Sequence, residues 1–192
     1  AGIGLPGLEL QVLGEDDTVL DHGLEGELAM RGPGVFVGYY GQDELYRSFL
    51  TTDGFFRTGD LARIDAEGYV RITGRIKDLI IRGGVNISPL PAEDILASHP
   101  QLKSVAVVGY PDERLGERIC AVVVPQDEKP TLDELIAYAT AEGLPKRQLP
   151  EVIRYIDSMP RTAAGKIRKS DLVALIERAG PDQVELEAND FG

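Results

Sequence analysis

Two apolar runs, Val105-Ala106-Val107-Val108 and Ile119-Cys120-Ala121-Val122-Val123-Val124, constrain the fold of this chain more than any other feature. Neither alternates with polar residues, so each predicts a strand covered on both faces. A sheet built around such strands needs an apolar layer above and another below. Thr131-Leu132-Asp133-Glu134 spells a capping box, and Gly143 is placed to stop the helix that it starts. Ser88 can cap another helix with Pro89 at its first position, where a missing N–H costs nothing. A last helix is predicted over residues 170–179, closed by Gly180-Pro181, and residues 152–156 read as a further strand. Residues 79–81 and 85–87 are short strands around Arg82-Gly83-Gly84, a hairpin-like arrangement.

The chain before residue 76 follows a different pattern. Residues 8–13 carry apolar side chains on every second position, as a half-buried strand requires. Residues 27–31, 55–65 and 69–75 read as strands, the last two flanking Ala66-Glu67-Gly68, and residues 43–50 read as a short helix. The expected fold class is therefore α+β. A small β-barrel-like or curled-sheet subdomain occupies residues 1–75, an α+β domain residues 76–180, and an acidic, frayed tail residues 181–192.

Composition narrows the function. The 32 acidic residues outnumber the 20 basic ones, for a net charge of −12, which disfavours partners held through phosphates: nucleic acid and anionic membrane surfaces. No stretch approaches the ~18 uninterrupted apolar residues of a membrane-spanning helix. One Cys and two His cannot build a Cys/His zinc site or a disulfide framework. A cytoplasmic location is the default expectation. The chain opens on Ala1-Gly2-Ile3 without an initiator Met or a secretory leader, and is expected to be a piece of something longer.

Three places invite chemistry. In Thr58-Gly59-Asp60 a glycine lets the backbone turn and presents a carboxylate that could accept hydrogen bonds from sugar hydroxyls; an ordinary turn with a solvated Asp is the alternative. Gly83-Gly84 would let another molecule approach the backbone, or simply turn a hairpin. Arg161, Lys166, Arg168 and Lys169 lie in one short stretch without an acid, as a site for phosphate or carboxylate or as a solvated loop. Cys120, in an apolar strand, reads as core filler, and His22 and His99 lack ligand-spaced partners, so no metal is assigned to them.

In order and spacing these segments resemble the adenylate-forming superfamily: acyl-CoA synthetases, luciferases and peptide-synthetase adenylation domains. Gly32-Pro33 through Gly38-Tyr39-Tyr40, then Asp53-Gly54-Phe55-Phe56-Arg57-Thr58-Gly59-Asp60-Leu61, is similar to the segment leading into that family's T-G-D motif. Thr73-Gly74-Arg75-Ile76-Lys77-Asp78 resembles its hinge motif, and Ile81 through Pro89 the glycine-rich loop after it. Residues 102–124 resemble the core of its mobile C-terminal domain, and Met159 through Ile167 its closing P-R-T-x-x-G-K motif. Nothing here is similar to the family's upstream phosphate loop.

The resemblance implies roles. Asp60 would accept hydrogen bonds from the ribose of ATP, with Arg75 on the ribose or phosphate side and Ile72 packing near the nucleotide or in the core. Lys77 would be the hinge. Lys166 would bridge the attacking carboxylate and the α-phosphate, and Gly83 and Gly84 would border the pantetheine channel of CoA. Mg2+ is implied too, with ligands outside this chain. The implied partners are a small-molecule carboxylate, ATP, CoA and the missing N-terminal part of the same enzyme, here an acyl-CoA synthetase whose fragment is inactive alone. Two alternatives stay open: loading of a carrier-protein phosphopantetheine, and a non-catalytic interaction module. Pro91 stands where members often carry Glu in Pro-x-Glu-x-Glu, while Glu93 is retained.

Overall fold

Strand pairing divides the molecule. The structure, a computed structural model, describes residues 2–180 and 183–186. Its described residues fall into two units that part between Lys77 and Asp78.

The first unit is an antiparallel meander of β1 (Glu9–Leu13), β2 (Gly26–Arg31), β3 (Phe56–Ile64) and β4 (Val70–Arg75), in that spatial order, with helix α1 (Asp43–Ser48) between β2 and β3. The sheet is open, so the barrel-like expectation needs correcting. Gly2 does reach β4, exchanging hydrogen bonds of 3.2 and 2.7 Å with Val70, but this bridge is a single rung. Pro6 has no N–H to extend a ladder, and Gly7, at φ +83°, turns the chain away. Nor does β1 bury every second residue. Val12 and Leu13 are both buried, because the loop after β1 folds back, with the Leu20 N–H donating to the Val12 carbonyl at 2.8 Å.

The second unit contains β5 (Ile80–Arg82), β6 (Val85–Ile87), α2 (Leu90–Leu96), β7 (Leu102–Asp112), β8 (Gly116–Pro125), α3 (Leu132–Ala141), β9 (Val152–Ile156), α4 (Lys169–Ala179) and β10 (Glu185–Leu186). The sheet runs β10-β9-β8-β5-β6, with β7 paired to β8 as a long hairpin; β8, β9 and β10 are mutually parallel neighbours. The two apolar runs sit in β7 and β8, and side-chain alternation distributes them into two cores. Val105, Val107, Ile119, Ala121 and Val123 face α2 and α3, meeting Ala92, Leu96, Leu135 and Ala139. Ala106, Val108, Cys120, Val122 and Val124 face the other way, onto Leu172, Leu175 and Ile176 of α4. A register shift between Leu102 and Ser104 lets Leu102 join the first core despite its even number.

The predicted capping box forms: the Glu134 N–H donates to Thr131 Oγ1 and the Thr131 N–H to the Glu134 carboxylate, at 3.3 and 2.7 Å. Helix α2 begins one residue later than predicted. Pro89 occupies the cap position, Ser88 Oγ accepts the Leu90 N–H at 3.3 Å, and Pro91 falls in the first turn, where its missing N–H has no helical partner to lose. The tail is also not frayed throughout. Residues 185–186 add β10 to the β9 edge, and Leu186 is buried in the α4-side core. Residues 181–182 and 187–192 of the predicted tail lie outside the described residues.

Candidate functional site

Asp60 and Arg75 face each other on one rung of β3 and β4, and Arg75 Nε donates to Asp60 Oδ1 at 2.8 Å. The other carboxylate oxygen and the two terminal guanidinium nitrogens have no partner among the described residues. This rung is therefore a fixed acceptor beside a fixed donor, both reachable from solvent. Its geometry is set from behind. Gly59 lies at φ +72°, in the left-handed region where a side chain is strained. Its N–H donates to Glu27 Oε1 at 3.0 Å, and Arg57 donates to Glu27 Oε2 at 2.6 Å. Thr58 Oγ1 donates to the Leu28 carbonyl and accepts the Asp60 N–H. Burial pushes the Glu27 carboxyl above its ordinary value, and the Gly59 N–H opposes that shift.

Beside Arg75 lies a cleft of about 650 Å³, walled by Phe36, Tyr39, Phe49 and Phe56 and floored by Arg57, Thr58 and Gly59. Phe36 is the hub of its aromatic wall, edge-on to Tyr39, Tyr46 and Phe56 with centroids 4.9–5.3 Å away. Ile72, on β4, is 43% exposed, which excludes the core alternative for it. Lys77 is exposed in the one-turn 3₁₀ helix Ile76–Asp78, where the two units part.

The second unit holds the other predicted residues. Gly83 and Gly84 form the two-residue turn between β5 and β6, at φ +57° and +78°, the pair of positive angles that glycine tolerates best. Both are exposed; around Gly84 an added Cβ would meet nothing within 4 Å. Gly83 N–H donates to the Leu115 carbonyl at 2.7 Å. Arg82, just before the turn, grips Glu151 with two parallel hydrogen bonds of 2.7 and 2.8 Å. That grip holds the Glu151 carboxyl below its ordinary value.

The basic stretch resolves into one open cation and three committed ones. Arg161 donates to the Gly165 carbonyl at 2.8 Å, Arg168 pairs with Asp171 at 3.1 Å, and Lys169 pairs with Glu93 at 2.7 Å. The retained Glu93 also accepts the Val107 N–H, tying α2 to β7 and to the start of α4. Lys166 is exposed, and its ammonium has no carboxylate partner among the described residues. The backbone beneath it is firm: the Thr162 N–H donates to the Lys166 carbonyl at 2.8 Å, and the Lys166 N–H to Thr162 Oγ1 at 3.2 Å. Gly165 turns this loop at φ +82°.

Cys120 is fully buried, and burial pushes its thiol up to about 12. His99 is buried against the Tyr138 ring, with Nδ1 accepting the Gln101 N–H. Among the described residues no group of three or more His, Cys, Asp or Glu is arranged to hold a metal ion. No helix among them is long and apolar enough to cross a membrane.

Residues 92–166 match the family described as the AMP-binding enzyme C-terminal domain. That stretch of the chain is an AMP-binding enzyme C-terminal domain. A medium-chain fatty-acid–CoA ligase of Escherichia coli K12 is 44% identical over 170 residues, which are 88% of this chain and 30% of the relative. A long-chain fatty-acid–CoA ligase of Thermus thermophilus is 45% identical over 89% of this chain and 32% of its own length. Among solved structures, ATP-bound MatB from Rhodopseudomonas palustris superposes with a TM-score of 0.81 at 35% identity, over 90% of this chain and 35% of that one. The chain thus spans about a third of the length of the relatives it matches.

Sequence reasoning missed Glu27 and Glu151, the carboxylates behind Gly59 and the glycine turn, and it named Glu93 without its partners, Lys169 and the Val107 N–H. The signal was faint: Glu27 is flanked by Gly26 and Leu28, and Glu151 by Pro150 and Val152. The aromatic wall of the cleft was missed as a unit because its rings are spread over residues 36–56.

Proposed function

We propose that this chain is the C-terminal portion of an AMP-forming acyl-CoA synthetase, converting a carboxylate, ATP and CoA into acyl-CoA, AMP and pyrophosphate once joined to the rest of the enzyme. The observation that carries the reading is the partition of exposed polar groups. The Asp60–Arg75 rung lies before Lys77, and Lys166, unpaired among the described residues, lies after it, on separately packed units. ATP is the substrate that such a rung suits. A carboxylate acceptor beside a guanidinium donor matches a sugar diol adjoining a phosphate, and holding both orients the nucleotide without covalent chemistry.

In the first step a carboxylate oxygen attacks the α-phosphorus, the bond to the bridging oxygen of pyrophosphate breaks, and an acyl-adenylate forms. Lys166, committed to no ion pair among the described residues, neutralises the charge that gathers between the two anions. In the second step the CoA sulfur attacks the acyl carbon, the bond to AMP breaks, and the thiol proton passes to solvent. Gly83 and Gly84 leave that path clear because neither has a side chain. Lys77 is the hinge whose backbone torsions change between the two steps.

The intact enzyme, this chain with its upstream part restored, should release pyrophosphate with at least one member of a carboxylate panel. No release with any acid overturns the assignment. Offering free CoA and a holo carrier protein in parallel identifies the acceptor; transfer to the carrier alone replaces CoA in the scheme.

A further inference from the structure

The hairpin that carries Gly83 and Gly84 is anchored at its base, where Ile80 and Ile87 are buried in the core, and has little strand pairing towards its turn. Its strand β6 pairs only with β5 among the described residues, and β5 registers with β8 at one residue pair, Arg82 opposite Gly116. The turn itself touches little: a Cβ at Gly83 would meet only Leu115 Cδ2, at 3.8 Å. Among the described residues three polar contacts hold it: the Gly83 N–H donates to the Leu115 carbonyl at 2.7 Å, the Ile81 N–H donates to the Glu117 carboxylate at 2.5 Å, and Arg82 makes the charged, two-pronged one. Arg82 Nε and Nη2 bond the two oxygens of Glu151, so the planar fork defines a direction as well as a distance. Glu151 is itself fixed to β8. Its N–H donates to the Ile119 carbonyl at 2.7 Å, its carboxylate accepts the Ile119 N–H at 3.3 Å, and Arg118 stands 3.9 Å away as a second cation. The carboxylate thus joins the turn to β8, an interior strand of the sheet and the best-buried one.

We propose that Glu151 is a positioning residue for the Gly83-Gly84 turn, and that through Arg82 it governs transfer of the acyl group to the thiol without governing formation of the acyl-adenylate. The proposal rests on the reading of Gly83 and Gly84 as the border of the thiol's path. The separation of effects follows from the contacts. Glu151 touches Arg82, Arg118 and Ile119, whereas Lys166 is carried by the separate Arg161–Ile167 bridge. Glutamine at 151 keeps one acceptor but loses the charge and the second parallel bond, which removes the directional fork from the turn and leaves it to its backbone contacts at Ile81 and Gly83.

The test uses the intact enzyme and free CoA. Glu151→Gln should release pyrophosphate at the unaltered rate yet form thioester from preformed acyl-adenylate about tenfold more slowly, the scale on which a sub-ångström misplacement acts. The double variant Arg82→Glu with Glu151→Arg, which restores the pair in reverse, should recover most of the loss. Equal slowing of both half-reactions, or no slowing of either, overturns the proposal. If Glu151→Gln does not fold, the charge-reversed pair decides: thioester formation regained supports the proposal, and thioester formation lost while adenylation survives overturns it. A different result marks failure of the underlying reading: an unaltered enzyme that makes the acyl-adenylate but passes nothing to CoA.

Discussion

Glu27 and Glu151 perform the same mechanical task in the two units and do it in opposite electrostatic settings. Each accepts hydrogen bonds from an arginine and from a backbone N–H, and each thereby holds a glycine-bearing segment in place. Glu27 grips the glycine directly, is the more buried of the two, and burial lifts its carboxyl above the ordinary range. Glu151 grips through the fork of Arg82, which depresses its carboxyl. A direct backbone contact inside a sheet needs little charge to hold its register. A turn at the sheet margin, with few strand bonds, gains direction from a charged, two-pronged contact.

If both glutamates only support, the group they leave exposed must matter more than either. Lys166→Ala in the intact enzyme should slow adenylation by about 10²–10³-fold, the range seen when one preorganised charge-stabilising donor is removed. Thioester formation from preformed acyl-adenylate should be unchanged; equal slowing of both steps contradicts the assignment. Asp60→Ala should follow at about 10-fold or more in kcat/KM for ATP, the worth of one hydrogen bond to a charged group, with the thioester step unaffected. An unaltered ATP dependence removes the nucleotide from the β3–β4 rung.

Smaller effects separate the two glycine segments. Gly59→Ala forces a side chain into the left-handed region and should cost about 1–2 kcal/mol, read as a lower thermal midpoint. Gly84→Ala has the same backbone strain and, as at Gly59, open space around the added Cβ. It should destabilise the fold to a similar degree and additionally raise the KM for CoA; an unchanged KM would detach that turn from the thiol. The smallest effect distinguishes the carboxylates by pH. A carboxyl depressed in the folded state contributes stability above the ordinary glutamate pKa and loses it as pH falls through the depressed value. The stability gap between unaltered protein and Glu151→Gln should therefore shrink on acidification. Glu27, raised in the folded state, has the opposite sign: the folded protein holds the extra proton, so Glu27 loses stability as pH rises from the ordinary value through the raised one. Denaturant melts across the acidic range check both, and parallel pH trends for the two variants would erase the contrast.

Much of this was readable from the chain, and the failures share a cause. Continuous apolar runs announced β7 and β8, and Thr131 with Glu134 announced α3, because both signals are complete within a few residues. Motif order located Asp60 and Arg75, whose pairing across one rung only the register supplies. Closure of the first sheet was not legible, since it turns on whether Gly2 extends beyond one rung on Val70. Strand β10 was hidden because two residues carry too little pattern, and acidic neighbours disguised the burial of Leu186. Glu27 and Glu151 escaped for the same physical reason: their partners lie 30 and 69 positions away, a distance that only strand register closes.

The two-sided hairpin of β7 and β8 carries a consequence for how the chain tolerates change. Neighbouring residues there answer to different helices, so deleting one residue would exchange the cargo of the two layers along everything downstream in the strand. The shift between Leu102 and Ser104 shows where the molecule already absorbs such an offset, close to a strand end, where only Leu102 has to be re-aimed. Length variation in relatives of this domain should accordingly gather at the tips of that hairpin and avoid its middle.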